Sequence, residues 1–251
     1  KMDKMIFTVL NGMKVVEQRQ ANTFNELANT NTVGFKKTFN SSVRYQDLQA
    51  DDSLQTRAYP SLISRNVVDL KPGPFQRTNN PFDVYINDSG LLAVQASDGT
   101  EVYTRRGDLK VTEGGVVTTG NGKVVLGENG PITLPPSGRV EISPNGTISI
   151  QEPGAINNQL TPIARLKLVN GENRVLQVRE DGLYQTDDKA ILEPDAAIKV
   201  TAGGLEGSAI SAIDAMVNMI RDSRAYEMNV RVIKNAKEVS TASASMMRLD
   251  G

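Results

Sequence analysis

Two pairs of acidic residues have the type and spacing that could do chemistry: Asp83 with Asp88, and Glu101 with Asp108. Two carboxyl groups that face each other across a cleft can hydrolyse a glycosidic bond, one acting as acid and the other as base or nucleophile. Both pairs fall at the ends of predicted strands and in turns, where Asp commonly serves backbone geometry. We therefore interpret them as solvated turn acids and keep glycoside hydrolysis as the alternative.

The composition removes most other kinds of catalytic site. The chain has 251 residues with no Cys and no His, so it offers no thiolate nucleophile, no imidazole base and no imidazole ligand for a metal. The Gly-rich stretch at residues 114–123 lacks the spacing of a phosphate-binding loop, and turn chemistry explains it. We predict no catalytic residue, no cofactor and no metal site.

Charge and hydropathy exclude further classes of partner. The net charge is −1 and aromatic residues make up 5% of the chain, without Trp, which argues against a field or a stacking surface for nucleic acid. No apolar run approaches the roughly 18 residues of a membrane span, and no secretory signal pattern is evident. We expect no nucleic-acid partner, no direct membrane insertion, and either a cytosolic location or export without a cleaved signal peptide.

Apolar stripes mark both ends of the chain as helices. Residues 3–30 and roughly 209–249 carry apolar side chains at three- and four-residue steps, the period of one helical face. The C-terminal helix would be about 60 Å long, too long to bury its apolar face against one small domain. We therefore expect the terminal helices to pair as a coiled-coil domain and to need neighbouring subunits.

Between these ends the period of the pattern changes to two. Short alternating segments from Phe82 onward are separated by Asn-Gly, Asp-Gly and Pro-Asn-Gly turns, which indicates an antiparallel β-domain. The tripeptide Arg106-Gly107-Asp108 matches a cell-adhesion motif, but strand-like residues flank it on both sides and favour a hairpin turn.

The predicted fold class is α+β, with an antiparallel β-domain and an extended arm inserted between long terminal helices. The predicted domains are the N-terminal helix at residues 1–37, the arm or linker at 38–80, the β-domain at 81–204 and the C-terminal helix at 205–251. The polar, poorly periodic arm has two interpretations that the sequence leaves open. It is either a disordered linker or a segment that orders on assembly.

Two stretches go beyond composition. Residues 25–36 (NELANTNTVGFK) resemble the N-terminal signature of the flagellar rod and hook protein family, and residues 219–229 (MIRDSRAYEMN) resemble its C-terminal signature. Residues 80–84 resemble the motif that opens the β-domain in that family, and residues 103–107 resemble the hairpin motif that follows it. Four further stretches are similar to its proximal rod members: residues 92–95, 127–135, 165–169 and 205–208.

The resemblance implies a structural subunit of the proximal rod of the bacterial flagellar basal body. Such a subunit would form part of a helical tube that transmits torque and encloses the export channel. Its partners would be copies of itself, other rod proteins and the flagellar type III export apparatus. It would lie in the periplasmic space, exported without a cleaved signal peptide. The alternatives are a distal rod or hook-family subunit and, from a different class, a hydrolase acting on cell-wall glycan, against which the scarcity of aromatic residues counts.

The expected subunit-interface residues belong to the two helical stripes and to the family motifs beside them. They are Ile6, Leu10, Met13, Val16, Phe24, Leu27, Asn29, Gly34, Phe35, Met216, Ile220, Arg224, Tyr226, Glu227, Val230 and Ile233.

Overall fold

The chain divides into a helical unit built from both of its ends and a β unit built from its middle. In this computed structural model the described residues are 2–41, 65–136, 139–151, 159–172 and 174–249. The helical unit comprises residues 1–30 and 210–251, and the β unit comprises residues 31–209.

The helical unit contains α1 (Met2–Ala28, 27 residues) and α2 (Ala212–Leu249, 38 residues). The first helix ends in the Asn- and Thr-rich run, where the side chain of Asn29 donates to the Asn25 side chain at 2.7 Å. The second begins after Ser211, whose hydroxyl accepts a hydrogen bond from the amide of Asp214 at 3.3 Å. Short polar side chains of this kind satisfy backbone groups that a helix end leaves without partners.

The predicted fold class, with terminal helices paired as a coiled-coil domain, is wrong. The described residues form only two helices but eighteen strands, whose pairings are all antiparallel, so antiparallel sheet dominates the fold. The predicted apolar stripe of α2 is not a buried seam, because Ile213, Met216 and Ile220 are all exposed. The side chains that become buried in the helical unit are mostly small or polar: Val16, Thr23, Glu26, Ala215, Asp222 and Ala236. Periodicity identified a helical face but not what covers it.

The β unit contains eighteen short strands within the described residues. They are β1 (Thr38–Ser41), β2 (Arg65–Val68), β3 (Phe75–Arg77), β4 (Val84–Ile86), β5 (Gly90–Gln95), β6 (Glu101–Thr104), β7 (Leu109–Val111), β8 (Val117–Thr119), β9 (Val124–Gly127), β10 (Gly130–Pro131), β11 (Arg139–Ile142), β12 (Thr147–Gln151), β13 (Leu160–Arg165), β14 (Leu168–Asn170), β15 (Leu176–Val178), β16 (Tyr184–Thr186), β17 (Val200–Ala202) and β18 (Gly204–Glu206).

Eleven of these strands form one sheet, in the order β1-β2-β15-β16-β6-β5-β9-β8-β7, with β10 beside β9 and β14 beside β5. Strands β11-β12-β13 form a second sheet, and β4 with β17 and β3 with β18 form two-stranded ribbons. Every pairing is antiparallel. The predicted hairpin around Arg106-Gly107-Asp108 is wrong, because the segment joins β6 to β7, which are not neighbours in the sheet.

The core of the β unit has apolar layers on both faces of β5. Successive side chains of a strand point to opposite faces, so Leu92 and Val94 enter one apolar cluster while Leu91 and Ala93 enter the other. All four side chains are fully buried. This strand is therefore the centre of the packed unit.

The predicted arm at residues 38–80 contributes strands to the β unit at both of its ends. Strand β1 pairs with β2 in register from Thr38 opposite Val68, and β3 pairs with β18. Residues 42–64 of the predicted arm lie outside the described residues.

Candidate functional site

The surface of the helical unit carries large apolar side chains that no group in the unit covers. On α1, Leu10 and Phe24 are 45% and 50% exposed, and on α2 Ile220 is 53% exposed. Removing such area from water contributes about 25 cal/mol per Å². These helices therefore present surface suited to burial against another molecule.

The predicted interface residues divide by exposure. Leu10, Phe24, Met216, Ile220, Arg224, Tyr226 and Glu227 are exposed, Met13, Leu27, Asn29, Phe35, Val230 and Ile233 are half-buried, and Val16 and Gly34 are buried. The side chain of Ile6 lies outside the described side chains.

The contact between α1 and α2 has a polar centre. Thr23 donates to a carboxylate oxygen of Asp222 at 3.5 Å, and the Arg19 guanidinium lies 3.8 Å from the same carboxylate. Arg19 is 58% exposed, so this ion pair is screened by water and contributes little stability. The two helices are in contact, but these polar groups contribute little to the stability of that contact.

The end of the N-terminal motif packs inside the β unit. Gly34 has a φ of +65°, and a Cβ on it would lie 2.6 Å from the carbonyl oxygen of Arg105. Only glycine adopts this conformation at such a close backbone approach without strain. The Gly34 amide donates to the carbonyl of Glu206 at 2.8 Å, which joins the N-terminal motif to the segment that leaves the β unit.

Three charged side chains meet beside this glycine and form a buried cluster of Lys36, Arg105 and Glu206. The Lys36 ammonium lies 2.6 Å from one oxygen of the Glu206 carboxylate, and the Arg105 guanidinium lies 2.6 Å from the other. All three side chains are at most 1% exposed. A single carboxylate therefore binds two cations in a space that water does not reach.

Backbone groups complete the cluster. Arg105 Nη1 donates to the carbonyls of Asp88 and Gly90 at 2.8 and 2.6 Å, and Lys36 donates to the carbonyl of Lys71. Arg105 Nη2 is buried and has no hydrogen-bond partner among the residues that the structure describes. Burying charges is costly unless they are paired and hydrogen-bonded, and here nearly every polar atom has a partner.

The electrostatics of the cluster follow from its excess of one positive charge. Burial and, secondarily, the Arg105 cation lower the pKa of the Lys36 ammonium below its ordinary value, and Glu206 opposes this shift only in part. Burial and the Glu206 charge raise the pKa of the nearby Tyr184 phenol. The protonated Lys36 is thus held at a cost that the rest of the fold offsets.

The two charged side chains of the adhesion-like tripeptide Arg106-Gly107-Asp108 bind each other. Arg106 makes two parallel hydrogen bonds to Asp108, at 2.7 and 2.9 Å. Between them Gly107 packs so closely that a Cβ would lie 1.8 Å from the carbonyl oxygen of Val84. The charged ends of the motif are therefore occupied within the turn.

The acids considered for glycoside hydrolysis have structural partners. Asp83 is buried and accepts a hydrogen bond from the Asn80 side chain at 3.0 Å. Glu101 pairs with Lys167 at 2.7 Å and accepts from the Tyr103 phenol at 3.1 Å. No group of three or more possible metal ligands occurs among the described residues. Neither helix described here combines the length and hydrophobicity that crossing a membrane requires.

Sequence reasoning did not identify the charge cluster. Lys36, Arg105 and Glu206 are separated along the chain, by 170 residues for the lysine–glutamate pair and 101 for the arginine–glutamate pair. Each lies in a stretch that carries the family resemblance: residues 25–36, 103–107 and 205–208. The presence of charged residues in each of three family-like stretches was the only feature of the sequence that pointed to the cluster.

Comparison with known proteins places the chain in a family. Residues 85–150 match the model for the D1 domain of the flagellar hook protein FlgE/F/G, and residues 201–246 match the model for the C-terminal part of the flagellar basal body rod FlgEFG protein. The chain is 37% identical to the flagellar basal-body rod protein FlgF of Salmonella typhimurium, over 94% of this chain and 95% of that protein.

Other relatives agree. The FlgF protein of Escherichia coli is 35% identical over the same shares of both chains. A FlgG rod protein of Buchnera aphidicola is 30% identical over 86% of this chain and 88% of the relative. The chain belongs to the flagellar basal-body rod protein family.

Proposed function

We propose that the chain is a structural subunit of the proximal rod of the bacterial flagellar basal body. The observation that carries this function is the 37% identity to a FlgF rod protein along nearly the whole of both chains. The FlgG relative is 30% identical over a smaller share of the chain, which favours the proximal over the distal rod.

The helical unit supplies the contacts between subunits. Its exposed apolar side chains, among them Leu10, Phe24, Ile220 and Tyr226, meet neighbouring subunits. Arg224 and Glu227, exposed beside them on α2, pair with charges on those neighbours. A surface that binds a different surface on the next copy, without closing a ring, generates a helical tube.

The β unit gives the subunit its bulk and stiffness. Its packed core and eleven-stranded sheet brace successive subunits, so the tube transmits torque and encloses an export channel. The helical unit makes the contacts between subunits, and the β unit, together with the arm at residues 38–80, braces successive subunits and stiffens the tube.

The partners are other copies of the chain, other rod proteins and the flagellar type III export apparatus. Family membership supports assembly with other rod proteins. The rod lies in the periplasmic space, where the absence of Cys leaves the chain nothing to cross-link by oxidation.

The test of assembly is Ile220→Asp together with Val230→Asp, each in the full chain. A carboxylate buried without a partner at a helix contact costs several kcal/mol, so we expect loss of rods and of motility. Asn235→Asp is the matched control, because it places the same side chain at an exposed polar position of the same helix. Thermal unfolding of all three monomers should match that of the parent. Normal rods from both apolar variants would contradict the assignment of this surface.

The chain acts mechanically and not as an enzyme. The double variant Glu101→Gln and Asp108→Asn should keep largely normal motility. It should lose only the stability that the ion pairs with Lys167 and Arg106 contribute. The purified parent chain should not cleave peptidoglycan. If it did, and if the double variant lost that cleavage but still entered rods, the chain would be a hydrolase.

A further inference from the structure

The segment that enters the β unit and the segment that leaves it touch each other directly. The entry segment is residues 31–36 and the exit segment is residues 206–209. The amide of Gly34 donates to the carbonyl of Glu206 at 2.8 Å. A force that reaches the β unit along the chain therefore meets this contact before it meets the sheet.

A second hydrogen bond sets the direction of loading. The amide of Ala209 donates to the carbonyl of Phe35 at 3.0 Å, one residue further along the entry segment and three further along the exit segment. The contacts thus advance in the same direction along both segments, as between parallel strands. Pulling the entry segment backwards and the exit segment forwards shears them, so that all contacts carry load together instead of breaking one at a time.

The Lys36–Glu206 ion pair also joins the two segments. Its atoms are 2.6 Å apart, and its side chains are 0% and 1% exposed. The same carboxylate also accepts from Arg105 and from the Gly73 amide, which ties the exit segment to two further parts of the β unit. An ion pair that water does not reach is strong, because breaking it leaves two buried charges without partners.

We propose that the Lys36–Glu206 pair is a mechanical clamp that holds the ends of the β unit together under load. With the clamp closed, force that arrives along the entry and exit segments passes directly between them and does not unfold the eleven-stranded sheet. The proposal rests on the proposed function only in that a rod subunit carries torque. The clamp itself is a property of the isolated chain.

Mechanical and equilibrium stability separate at this site. Two cations share one carboxylate, so the cluster holds an excess positive charge. Lys36→Met removes that excess and leaves the Arg105–Glu206 pair intact. Removing one partner of a buried ion pair is destabilising when it leaves the other charge uncompensated, but here Glu206 stays paired with Arg105, so we expect little change in folding stability. The substitution nevertheless deletes the ion pair that joins the entry and exit segments.

Single-molecule pulling on the full chain tests the clamp in two geometries. The chain has no Cys, so paired cysteines can be introduced as unique attachment points. Asn31→Cys with Ala209→Cys loads the clamp. Glu113→Cys with Glu180→Cys loads the sheet instead, because these exposed residues lie in the β7–β8 and β15–β16 turns.

We expect Lys36→Met to shorten the lifetime at constant force about tenfold in the clamp geometry and less than about twofold in the sheet geometry, since forced unfolding follows the unfolding rate. Its urea midpoint should match that of the parent. Unchanged lifetime in the clamp geometry, or equal shortening in both geometries, would overturn the proposal.

Glu206→Gln is the second variant, because it keeps the side-chain shape and removes the shared negative charge. It should shorten the lifetime in the clamp geometry by a larger factor than Lys36→Met, and an equal or smaller factor would count against the clamp. The rod-assembly test with Ile220→Asp does not involve the Lys36–Glu206 pair. The proposed function and the clamp can therefore be refuted independently.

Discussion

The two units of the chain differ in how many large apolar side chains they bury completely. The helical unit leaves Ile220 53% exposed and Phe24 50% exposed, whereas the β unit buries Leu92 and Val94 completely. A unit that covers its apolar groups is stable alone, and a unit that exposes them gains stability by binding. We therefore propose that the β unit is complete in one chain and that neighbouring subunits complete the helical unit.

Charged groups show the reverse distribution. The β unit buries Lys36 and Glu206 in contact at 2.6 Å, whereas the helical unit relies on an Arg19–Asp222 approach of 3.8 Å with an exposed guanidinium. The first arrangement fixes one conformation, because a partner lost from a buried pair leaves an uncompensated charge. The second leaves the helices free to adjust when a neighbour arrives.

The largest expected difference between the units comes from truncating one apolar residue in each. Leu92→Ala empties space in a closed core and should lower the free energy of unfolding by about 2–5 kcal/mol. Ile220→Ala removes a side chain that is half in water and should change it by less than about 0.5 kcal/mol. Urea unfolding of the two monomers measures both values, and a large loss from Ile220→Ala would mean that the helical unit has a core of its own.

Close backbone packing gives the next effect. A Cβ at Gly107 would lie 1.8 Å from the Val84 carbonyl oxygen and would push apart the hydrogen bond from the Val84 amide to Gly107. Gly107→Ala should therefore cost on the order of 3 kcal/mol of unfolding free energy. Gly122→Ala is the control, since it has a φ of +79° but no atom within 4 Å, and should cost about 1 kcal/mol. Equal costs measured by thermal unfolding would refute the packing argument.

A smaller effect of opposite sign is expected in the helical unit. Gly12 lies inside α1, and a Cβ there would meet nothing within 4 Å. Gly12→Ala should stabilise the helix by about 0.5–1 kcal/mol, because alanine loses less backbone freedom than glycine. Far-ultraviolet circular dichroism of the monomer should show increased helicity. Decreased helicity would show that the glycine is required by a contact.

The pH dependence of the β unit is expected to be the smallest effect. The pKa of Lys36 is lowered in the folded chain, so between that value and its ordinary 10.5 the unfolded chain binds more protons. Stability therefore rises with pH across this interval. Tyr184, whose pKa is raised above 10.0, acts in the opposite direction at higher pH, because the unfolded chain loses that proton first.

The difference between the parent chain and Lys36→Met isolates the lysine, since the tyrosine contribution is common to both. The parent should gain stability relative to the variant as the pH approaches 10.5 from below. The urea midpoints of the parent and the variant are to be measured over this pH range. A constant difference between them would show that folding does not lower the pKa of Lys36.

Local features of the fold followed from the sequence, and distant pairings did not. The helical period at residues 3–30 and 209–249 located α1 and α2 to within a few residues. The period of two from Phe82 onward indicated an antiparallel β-domain, but it did not indicate which strands pair. Strand β4, for example, pairs with β17, which lies far along the chain. Strands of three residues carry too little pattern to specify a partner.

The candidate site divides in the same way. The exposed apolar residues of the helices were listed from their spacing, because a repeat of 3.6 residues is visible in one segment. Glu206 and Arg105 could not be placed by spacing, since charged residues are normally exposed and their pairing joins positions 101 residues apart. The coiled-coil prediction failed because periodicity does not reveal whether a stripe is covered.

Hydrogen exchange, measured peptide by peptide on the monomeric chain and on assembled rods, tests most directly whether only the β unit is complete in one chain. We expect amides of β5 and β6 in the monomer to exchange only through global unfolding, and those of α1 and α2 to exchange orders of magnitude faster. Assembly should then protect both helices and leave β5 and β6 unchanged. Helices as strongly protected as β5 in a verified monomer would contradict this account.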